Sequence, residues 1–133
     1  MLAVGRWSLQ LAPGWEGELE DGCACIAKED GAGALLISHL EKKGAPVSRH
    51  ELQQLAAGEL PGDADVGPTR MGDFEGLHAT YVEDGQRWQR FYLSYGRLLL
   101  LISYTVDLAD EGAEDDEVIA MLRSLRAKGD RWE

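Results

Sequence analysis

The sequence predicts an α+β fold, in which two helices pack on an antiparallel sheet of about six strands in the order β-β-β-α-β-β-β-α. Three observations predict this class. Apolar and polar residues alternate with a period of two in several segments, such as residues 77–82, as is typical of half-buried strands. Turn signals such as Asp84-Gly85 follow these segments and favour hairpins. Two other segments, after Ser48 and before Leu125, have the spacing of amphipathic helices.

Three strands are predicted before the first helix. Alternation over residues 7–11 predicts a half-buried strand that ends at Pro13-Gly14. Residues 18–28 predict a second strand, and Asp30-Gly31 predicts a hairpin turn after it. Residues 34–40 are apolar at most positions on both faces, which is typical of a central strand.

The first helix is predicted to begin at a capping box, in which the side chains of Ser48 and Glu51 satisfy each other's backbone N–H groups. Val47 before the cap and Leu52 after it predict a hydrophobic staple. Glycine and proline residues then end the helix, and they predict a loop that continues as far as Pro68.

Three more strands are predicted over residues 77–82, 88–93 and 98–106, and the last is apolar enough to lie in the middle of the sheet. The second helix is predicted by apolar residues at positions i, i+3, i+4 and i+7, namely Val118, Met121, Leu122 and Leu125. Acidic residues precede this helix and Gly129 is predicted to end it. Because neither helix can bury its apolar stripe elsewhere, we expect both on one face of the sheet.

The composition is that of one globular domain, which we expect to span residues 1–133. The formal net charge of −11 disfavours binding to nucleic acid and to anionic membranes, since the sequence has no basic cluster larger than the pair Lys42-Lys43. The N-terminal residues predict no secretory signal, and the longest aliphatic run, residues 98–102, is too short to span a bilayer. We therefore expect a cytoplasmic protein with reduced thiols.

Four landmarks accompany this order of elements. Leu11-Ala-Pro-Gly-Trp15 closes the opening strand, and His39 lies on the strand before the capped helix. Phe74-Glu-Gly76 precedes a later strand, and Met121-Leu-Arg-Ser-Leu125 lies in the final helix. In this pattern, which covers nearly the whole chain, the sequence resembles the PsbP-like superfamily, which includes the photosystem subunit PsbP, a yeast Ran-binding import factor and the bacterial DcrB-like proteins.

The resemblance implies a non-catalytic scaffold that binds other proteins. One DcrB-like branch is similar in plan, and it consists of bacterial cytoplasmic chaperones that hold hydrophobic segments of secreted effectors on the sheet. The resemblance supplies no catalytic residue to carry over to this sequence.

Cys23 and Cys25 place two thiols on one face of a predicted strand, where soft metal ions would find suitable ligands. A tetrahedral structural site needs four ligands, and only His39, His50 and His78 could add to the pair. No second cysteine pair or paired histidine spacing is present. We therefore expect neither a metal nor another cofactor, and we expect the cysteines to serve packing.

His78 lies near Asp73 and Glu75 in the sequence and could act as a general base. Catalysis would also require a nucleophile or a group that stabilises developing charge, and the sequence contains no motif that supplies one. We therefore expect that the protein is not an enzyme.

Aromatic residues fall on neighbouring predicted strands, namely Tyr81, Trp88, Tyr92 and Tyr104. One interpretation is packing of the sheet under the helices. The other is an exposed face that recognises a protein, because Trp, Tyr and Arg are enriched at binding hot spots. Trp88, flanked by Arg87 and Arg90, is then the first candidate. The predicted partner-binding residues are Trp88, Arg87, Arg90, Tyr92 and Tyr81.

Three functions remain open. The first is a protein-binding module, such as a secretion-effector chaperone or an adaptor, that uses its sheet face. The second is an immunity-type inhibitor of a toxin, which the acidity would suit if the toxin is basic. The third is a binder of a small ligand or metal, or an enzyme, that uses Cys23, Cys25 or His78. In each case an exposed sheet edge or face could also form a homodimer.

Overall fold

The computed structural model describes residues 1–128 and confirms the α+β class. Residues 129–133 lie outside the described part. The second helix was predicted to continue as far as Gly129, but it ends at Arg123, and Arg126–Ala127 form a strand instead. The strands are β1 (Leu2–Val4), β2 (Trp7–Leu9), β3 (Trp15–Glu20), β4 (Cys23–Lys28), β5 (Gly33–Glu41), β6 (Asp65–Met71), β7 (Phe74–Glu83), β8 (Gln86–Tyr95), β9 (Leu98–Asp107) and β10 (Arg126–Ala127). The helices are α1 (Arg49–Glu59) and α2 (Asp115–Arg123), and a 3₁₀ turn (Leu108–Asp110) precedes α2.

Seven strands form one antiparallel sheet in the order β3-β4-β5-β9-β8-β7-β6. The apolar strand β9 is the fourth of the seven, which confirms its predicted central position. A second, three-stranded sheet has the order β1-β2-β10 and joins the two ends of the described chain.

The two helices lie on opposite faces of the large sheet, so the prediction that they share one face is wrong. Leu52 of α1 packs in a cluster with Leu77 and Tyr92. Leu122 of α2 packs instead in the main core with Phe91, and neighbouring residues of a strand point to opposite faces. The physical reason is the composition of β9, which is apolar on both faces near its centre and therefore needs cover on both.

The main core lies between the large sheet and a layer made of α2 and the small sheet. Its largest fully buried side chains include Trp7, Phe74, Phe91 and Tyr104. The smaller cluster under α1 covers only part of the other face. This asymmetry leaves one region of the sheet without a covering layer.

Three strand predictions differ from the structure. Residues 18–28 form the hairpin β3–β4 rather than one strand, because Asp21 and Gly22 both adopt positive φ angles in a tight turn. The segment before Pro68 was predicted to be a loop, but β6 begins at Asp65 and pairs with β7 along the sheet edge. The first predicted strand ends at Leu9 and belongs to the small sheet.

The predicted start of α1 is confirmed. Glu51 N donates to Ser48 Oγ at 3.1 Å, and Ser48 N donates to Glu51 Oε1 at 3.0 Å. Lys42 adds an ion pair of 2.6 Å to the same carboxylate, and these bonds lower the pKa of Glu51. Val47 packs against the cluster that contains Leu52, as the staple requires. The ion pair of Lys42, the residue after β5, with Glu51 therefore links the start of α1 to the end of that strand.

Candidate functional site

The part of the sheet that α1 leaves uncovered is called here the open face, and it consists of Cys23, Cys25, Ala27, Ala34, Leu36, Ser38 and Leu40. The strand register places these residues on one side of β4 and β5. One row across the sheet runs from Glu18 through Cys25, Leu36 and Ser103 to Arg90. Directly paired residues of antiparallel strands share a face, so this row identifies the side that carries α1.

The open face exists because the sheet is wider than one helix. Seven strands spaced about 4.8 Å apart span roughly 29 Å, whereas a helix with its side chains is about 10–12 Å wide. α1 lies against β7 and β8 and reaches partly over β9, where Leu99 and Leu101 join its cluster. The main contacts of α1 are therefore with β7 and β8, and Leu36 and Leu40 of β5 remain exposed.

Leucine side chains are exposed on this surface. Leu36 is 39% exposed and Leu40 is 58% exposed, and Ala27 and Ala34 beside Leu36 are exposed as well. These four residues, with Cys25, are called here the apolar strip. Contiguous apolar patches on a protein surface mark contacts with other molecules, which makes the strip the candidate binding surface.

The thiols of Cys23 and Cys25 are free and half-buried on the open face. Burial raises the pKa of the Cys25 thiol, and Cys23, Glu20 and Glu18 raise it further. The Cys25 thiol is therefore protonated at neutral pH and contributes an apolar surface rather than a nucleophile. Within residues 1–128 no group of three or more His, Cys, Asp or Glu side chains is placed to hold a metal ion.

Two depressions lie at opposite ends of the open face. One has a volume of about 360 Å³ and is lined by Glu16, Glu18, Cys25 and Ala34, among others. The other has a volume of about 340 Å³ and lies between β5 and α1. Its walls are mainly apolar and come from Leu40, Val47, Leu52, Leu55 and Leu99, and three charged residues also line it, namely Glu41, Lys42 and Glu51. The surface is therefore concave at both ends and can accept protruding side chains.

Trp88 and Tyr81 form the far side of this surface. Their rings are stacked, with centroids 6.0 Å apart and planes 4° from parallel. Trp88 is paired across the sheet with Thr105, which is paired with Ala34, so the three side chains share one face. The Trp88 indole N–H is the one buried side-chain N or O atom in the described part of the chain that has no hydrogen-bond partner.

Arg90 and Tyr92 hold the end of α1. The Arg90 guanidinium and the Tyr92 hydroxyl donate to the same oxygen of Glu59, at 2.9 Å and 3.0 Å. Arg90 lies 5.6 Å from the centroid of the Tyr92 ring, and Tyr92 is only 1% exposed. Tyr92 is therefore too deeply buried to contact a partner. Arg90 could contact a partner while it keeps its ion pair with Glu59.

Arg87 lies on the opposite face of β8. Its guanidinium forms an ion pair of 3.3 Å with Asp115 at the start of α2. The structure therefore brings together Trp88, Tyr81 and Arg90 of the five predicted residues, and it buries Tyr92 and separates Arg87. Arg87 is separated because adjacent residues of a strand lie on opposite faces. Tyr92 shares the face of Trp88 and is buried because α1 packs on it.

His78 has a structural environment. Its ring stacks on Phe91 with centroids 4.3 Å apart, and its Nε2 lies 3.0 Å from Oε1 of Gln89. Burial lowers the pKa of His78, which keeps the ring neutral at pH 7. Asp73 accepts a hydrogen bond from Ala127 N, and Glu75 pairs with Arg70, so neither of its sequence neighbours is bonded to the imidazole.

Two features of the surface were not found from the sequence. Leu36 and Leu40 were assigned to a strand buried on both faces, and their exposure depends on where α1 lies. Glu18 and Glu20 were assigned to the same strand as the cysteines. The dipeptide Asp21-Gly22 was the signal that would have separated them, since it is a strong hairpin turn.

No family model matches the chain, and no curated protein matches it in sequence. Two solved structures share its fold. A crystal structure at 1.50 Å from Bacteroides thetaiotaomicron VPI-5482 is 17% identical, with a TM-score of 0.68. The match covers 93% of this chain and 46% of that protein, so this chain spans less than half of its length. LpqN of Mycobacterium tuberculosis, involved in cell envelope biogenesis, is 14% identical, with a TM-score of 0.65, over 92% of this chain and 83% of LpqN.

Both likenesses concern the fold alone. They leave the location and the partner of this chain to be inferred from its own residues. No helix within residues 1–128 has the length and apolar character that crossing a bilayer requires.

Proposed function

We propose that the protein is a non-catalytic module that binds another protein on the open face, as a chaperone or an adaptor does. One observation carries this proposal. Leu36 and Leu40 are exposed on a sheet face that α1 covers only in part. The groove beside α1 begins at Leu40, and Ser38 separates Leu40 from Leu36 on the same face. Burial of the two leucines against a partner would remove apolar surface from water.

The scaffold supports such binding because it is rigid. Leu36 is paired on both sides, with Cys25 of β4 and Ser103 of β9, and Leu40 is paired with Leu99 of β9. The ion pair of Lys42 with Glu51 ties the start of α1 to the chain that follows β5. A surface that is already ordered loses little conformational entropy when it binds, which favours affinity.

The resemblance to the PsbP-like and DcrB-like proteins is part of this proposal and rests on the sequence pattern. A cytoplasmic location also belongs to the proposal, and the free thiols of Cys23 and Cys25 are consistent with it. LpqN, which shares the fold, is involved in cell envelope biogenesis. Fractionation of the source organism would decide between these locations for the present chain.

A second candidate, inhibition of a basic toxin, is favoured by one observation. Glu16, Glu18 and Glu20 are exposed in a row along β3 and could cover a basic active site. A folded toxin would then contact the carboxylates and leave Leu36 exposed. The effect of replacing Leu36 therefore distinguishes a toxin from a partner that lies on the apolar strip.

The test is affinity capture from a lysate of the source organism with two matched variants. Leu36→Gln removes an apolar side chain from the open face. Leu19→Gln makes the same change on β3, where Leu19 is 57% exposed and points to the other side of the sheet. The proposal predicts one stoichiometric partner that the wild type and Leu19→Gln retain and Leu36→Gln loses. The proposal would be contradicted if both variants retained the partner equally, or if the wild type captured no partner.

A further inference from the structure

Three carboxylates lie along one edge of the open face. Glu16, Glu18 and Glu20 occupy alternate positions of the edge strand β3, and all three are exposed. They are paired across the sheet with Ala27, Cys25 and Cys23, and so project on the same side as the apolar strip. Within residues 1–128 no Lys or Arg lies within ion-pair distance of them. These three residues are called here the glutamate row.

The glutamate row is held in a fixed position. Trp15, at the start of β3, is buried, and its indole N–H donates to Glu117 of α2 at 2.8 Å. Lys28, paired with Trp15 across the hairpin, forms an ion pair of 3.1 Å with the same carboxylate group. The strand that carries the row is therefore anchored to the core on its other face.

The space between the glutamate row and α1 has the width of one helix. Strands β3, β4, β5 and β9 are separated by three gaps of about 4.8 Å, or roughly 14 Å, and a helix with its side chains needs about 10–12 Å. β5 has nine residues, or roughly 30 Å at about 3.3 Å per residue. A helix of about 18 residues, at 1.5 Å per residue, has a matching length.

We propose that the occupant of this space is one amphipathic helix of the partner protein, with its apolar side on Leu36 and Leu40 and with Lys or Arg residues along the flank that faces the glutamate row. This inference rests on the proposed function and adds the chemistry of the partner. The opposite flank of the helix lies against α1, where the groove lined by Leu55 and Leu99 is apolar.

The spacing of the glutamate row specifies the spacing of the basic residues. Alternate residues of a strand are about 6.6 Å apart, so Glu16 and Glu20 are roughly 13 Å apart. Residues four apart on a helix are about 6 Å apart along its axis, so positions i, i+4 and i+8 span about 12 Å. A helix that lies along the strands with basic residues at these positions can pair each of them with one glutamate, and the long stems of Lys and Arg absorb the difference.

The test uses three synthetic peptides of 18 residues with the same leucine and alanine face. The first has Lys at i, i+4 and i+8 on one flank, the second has Glu at those positions, and the third has the three Lys residues on the side opposite the apolar face. Each is titrated by fluorescence anisotropy at low salt against the full chain. The triple variant Glu16→Gln, Glu18→Gln, Glu20→Gln removes the row. The control Asp63→Asn, Asp110→Asn, Glu111→Gln removes three exposed acids elsewhere.

We expect the first peptide to bind about tenfold more tightly than the third, since three exposed ion pairs each contribute roughly a factor of two. The glutamate-row variant should remove this difference, the control should keep it, and added salt should reduce it. The bound peptide should gain helical signal in circular dichroism. Leu36→Gln should weaken the binding of all three peptides.

Three outcomes would overturn the inference. The first is equal binding of the three peptides. The proposed function would still stand in that case if Leu36→Gln lost both the peptides and the partner captured from the lysate. The second is binding without a gain of helix, which would point to an extended segment. The third is a wild-type dimer in sedimentation that Leu36→Gln dissociates, which would make a second copy of the chain the occupant. If the wild-type protein, with Leu36 in place, captures no partner from the lysate, the proposed function itself is rejected.

Discussion

The Tyr104 hydroxyl donates a hydrogen bond of 2.6 Å to the carboxylate of Glu114, which is itself only 3% exposed. The same carboxylate accepts from the backbone N–H groups of Ala32 and Gly33, each at 3.0 Å. It therefore ties the β4–β5 turn to the start of α2. Burial acts to raise the pKa of Glu114, but the three hydrogen bonds outweigh it and the pKa is lowered.

Replacing Glu114 by Gln should destabilise the protein by about 2 kcal/mol, because the amide nitrogen cannot accept the backbone N–H that one carboxylate oxygen now accepts. The exposed control Glu111→Gln should change the free energy of unfolding by less than about 0.5 kcal/mol. Denaturant unfolding at pH 7 measures both. Equal stability of the two variants would contradict the proposed role of the carboxylate.

The same carboxylate should affect stability in acid. Its folded pKa lies below the ordinary value of 4.5, so its contribution is complete above pH 4.5 and is lost as the pH falls through the folded pKa. The unfolding free energy of Glu114→Gln should therefore decrease less than that of the wild type below pH 4.5. Parallel curves from pH 5 to pH 3 would show that Glu114 does not contribute.

His78 should contribute to stability above its ordinary pKa of 6.5. Burial lowers its folded pKa, so the unfolded chain takes up the proton first and stability falls as the pH decreases below 6.5. An NMR titration should place the midpoint of the His78 ring below the ordinary value of 6.5. A midpoint above 6.5 would show that burial does not control its charge.

A methyl group at Gly76 should be far more destabilising than one at Gly67. A Cβ at Gly76 would lie 1.9 Å from the Tyr92 carbonyl oxygen of β8, whereas one at Gly67 would meet no atom within 4 Å. Relieving the clash requires a shift of paired backbone, so Gly76→Ala should destabilise by about 1–3 kcal/mol or more. Thermal unfolding compares the two. Similar melting temperatures would contradict the close packing of β7 on β8.

Trp88 and Arg87 should differ in their effect on partner capture although they are adjacent in the sequence. Trp88→Ala changes the open side of the sheet and should weaken capture with the fold retained. Arg87→Ala breaks the ion pair with Asp115 on the other face and should leave capture unchanged. Far-UV circular dichroism provides the control for folding. If Arg87→Ala lost capture and Trp88→Ala did not, the binding surface would lie on the face of the sheet that carries α2.

Local signals in the sequence predicted the elements that local interactions decide. Ser48 and Glu51 fixed the start of α1, and the turn at Asp84-Gly85 defined the hairpin of β7 and β8. β6 was missed because Gly67 and Pro68 read as a loop, although a sheet edge tolerates proline, whose missing N–H needs no partner there.

The candidate site depends on tertiary placement and could be predicted only in part. Alternation identified Trp88, Tyr81 and Arg90 as neighbours, but adjacent Arg87 was included although strand geometry sends it to the other face. The exposure of Leu36 follows from α1 lying over β7 and β8, and no residue in β5 encodes that position. The glutamate row could not be recognised from the sequence, because residues 18–28 were predicted to form one strand and in fact belong to the two paired strands β3 and β4.

Site-specific photo-crosslinking in cells of the source organism tests directly whether the open face contacts a partner. Benzoylphenylalanine replaces Leu36 on the open face in one variant and Val82 in the other, because Val82 is 57% exposed on the opposite face of the sheet. We expect one protein to be crosslinked at position 36 and none at position 82. Crosslinking at position 82 alone, or at neither position, would contradict the claim that the open face binds a partner.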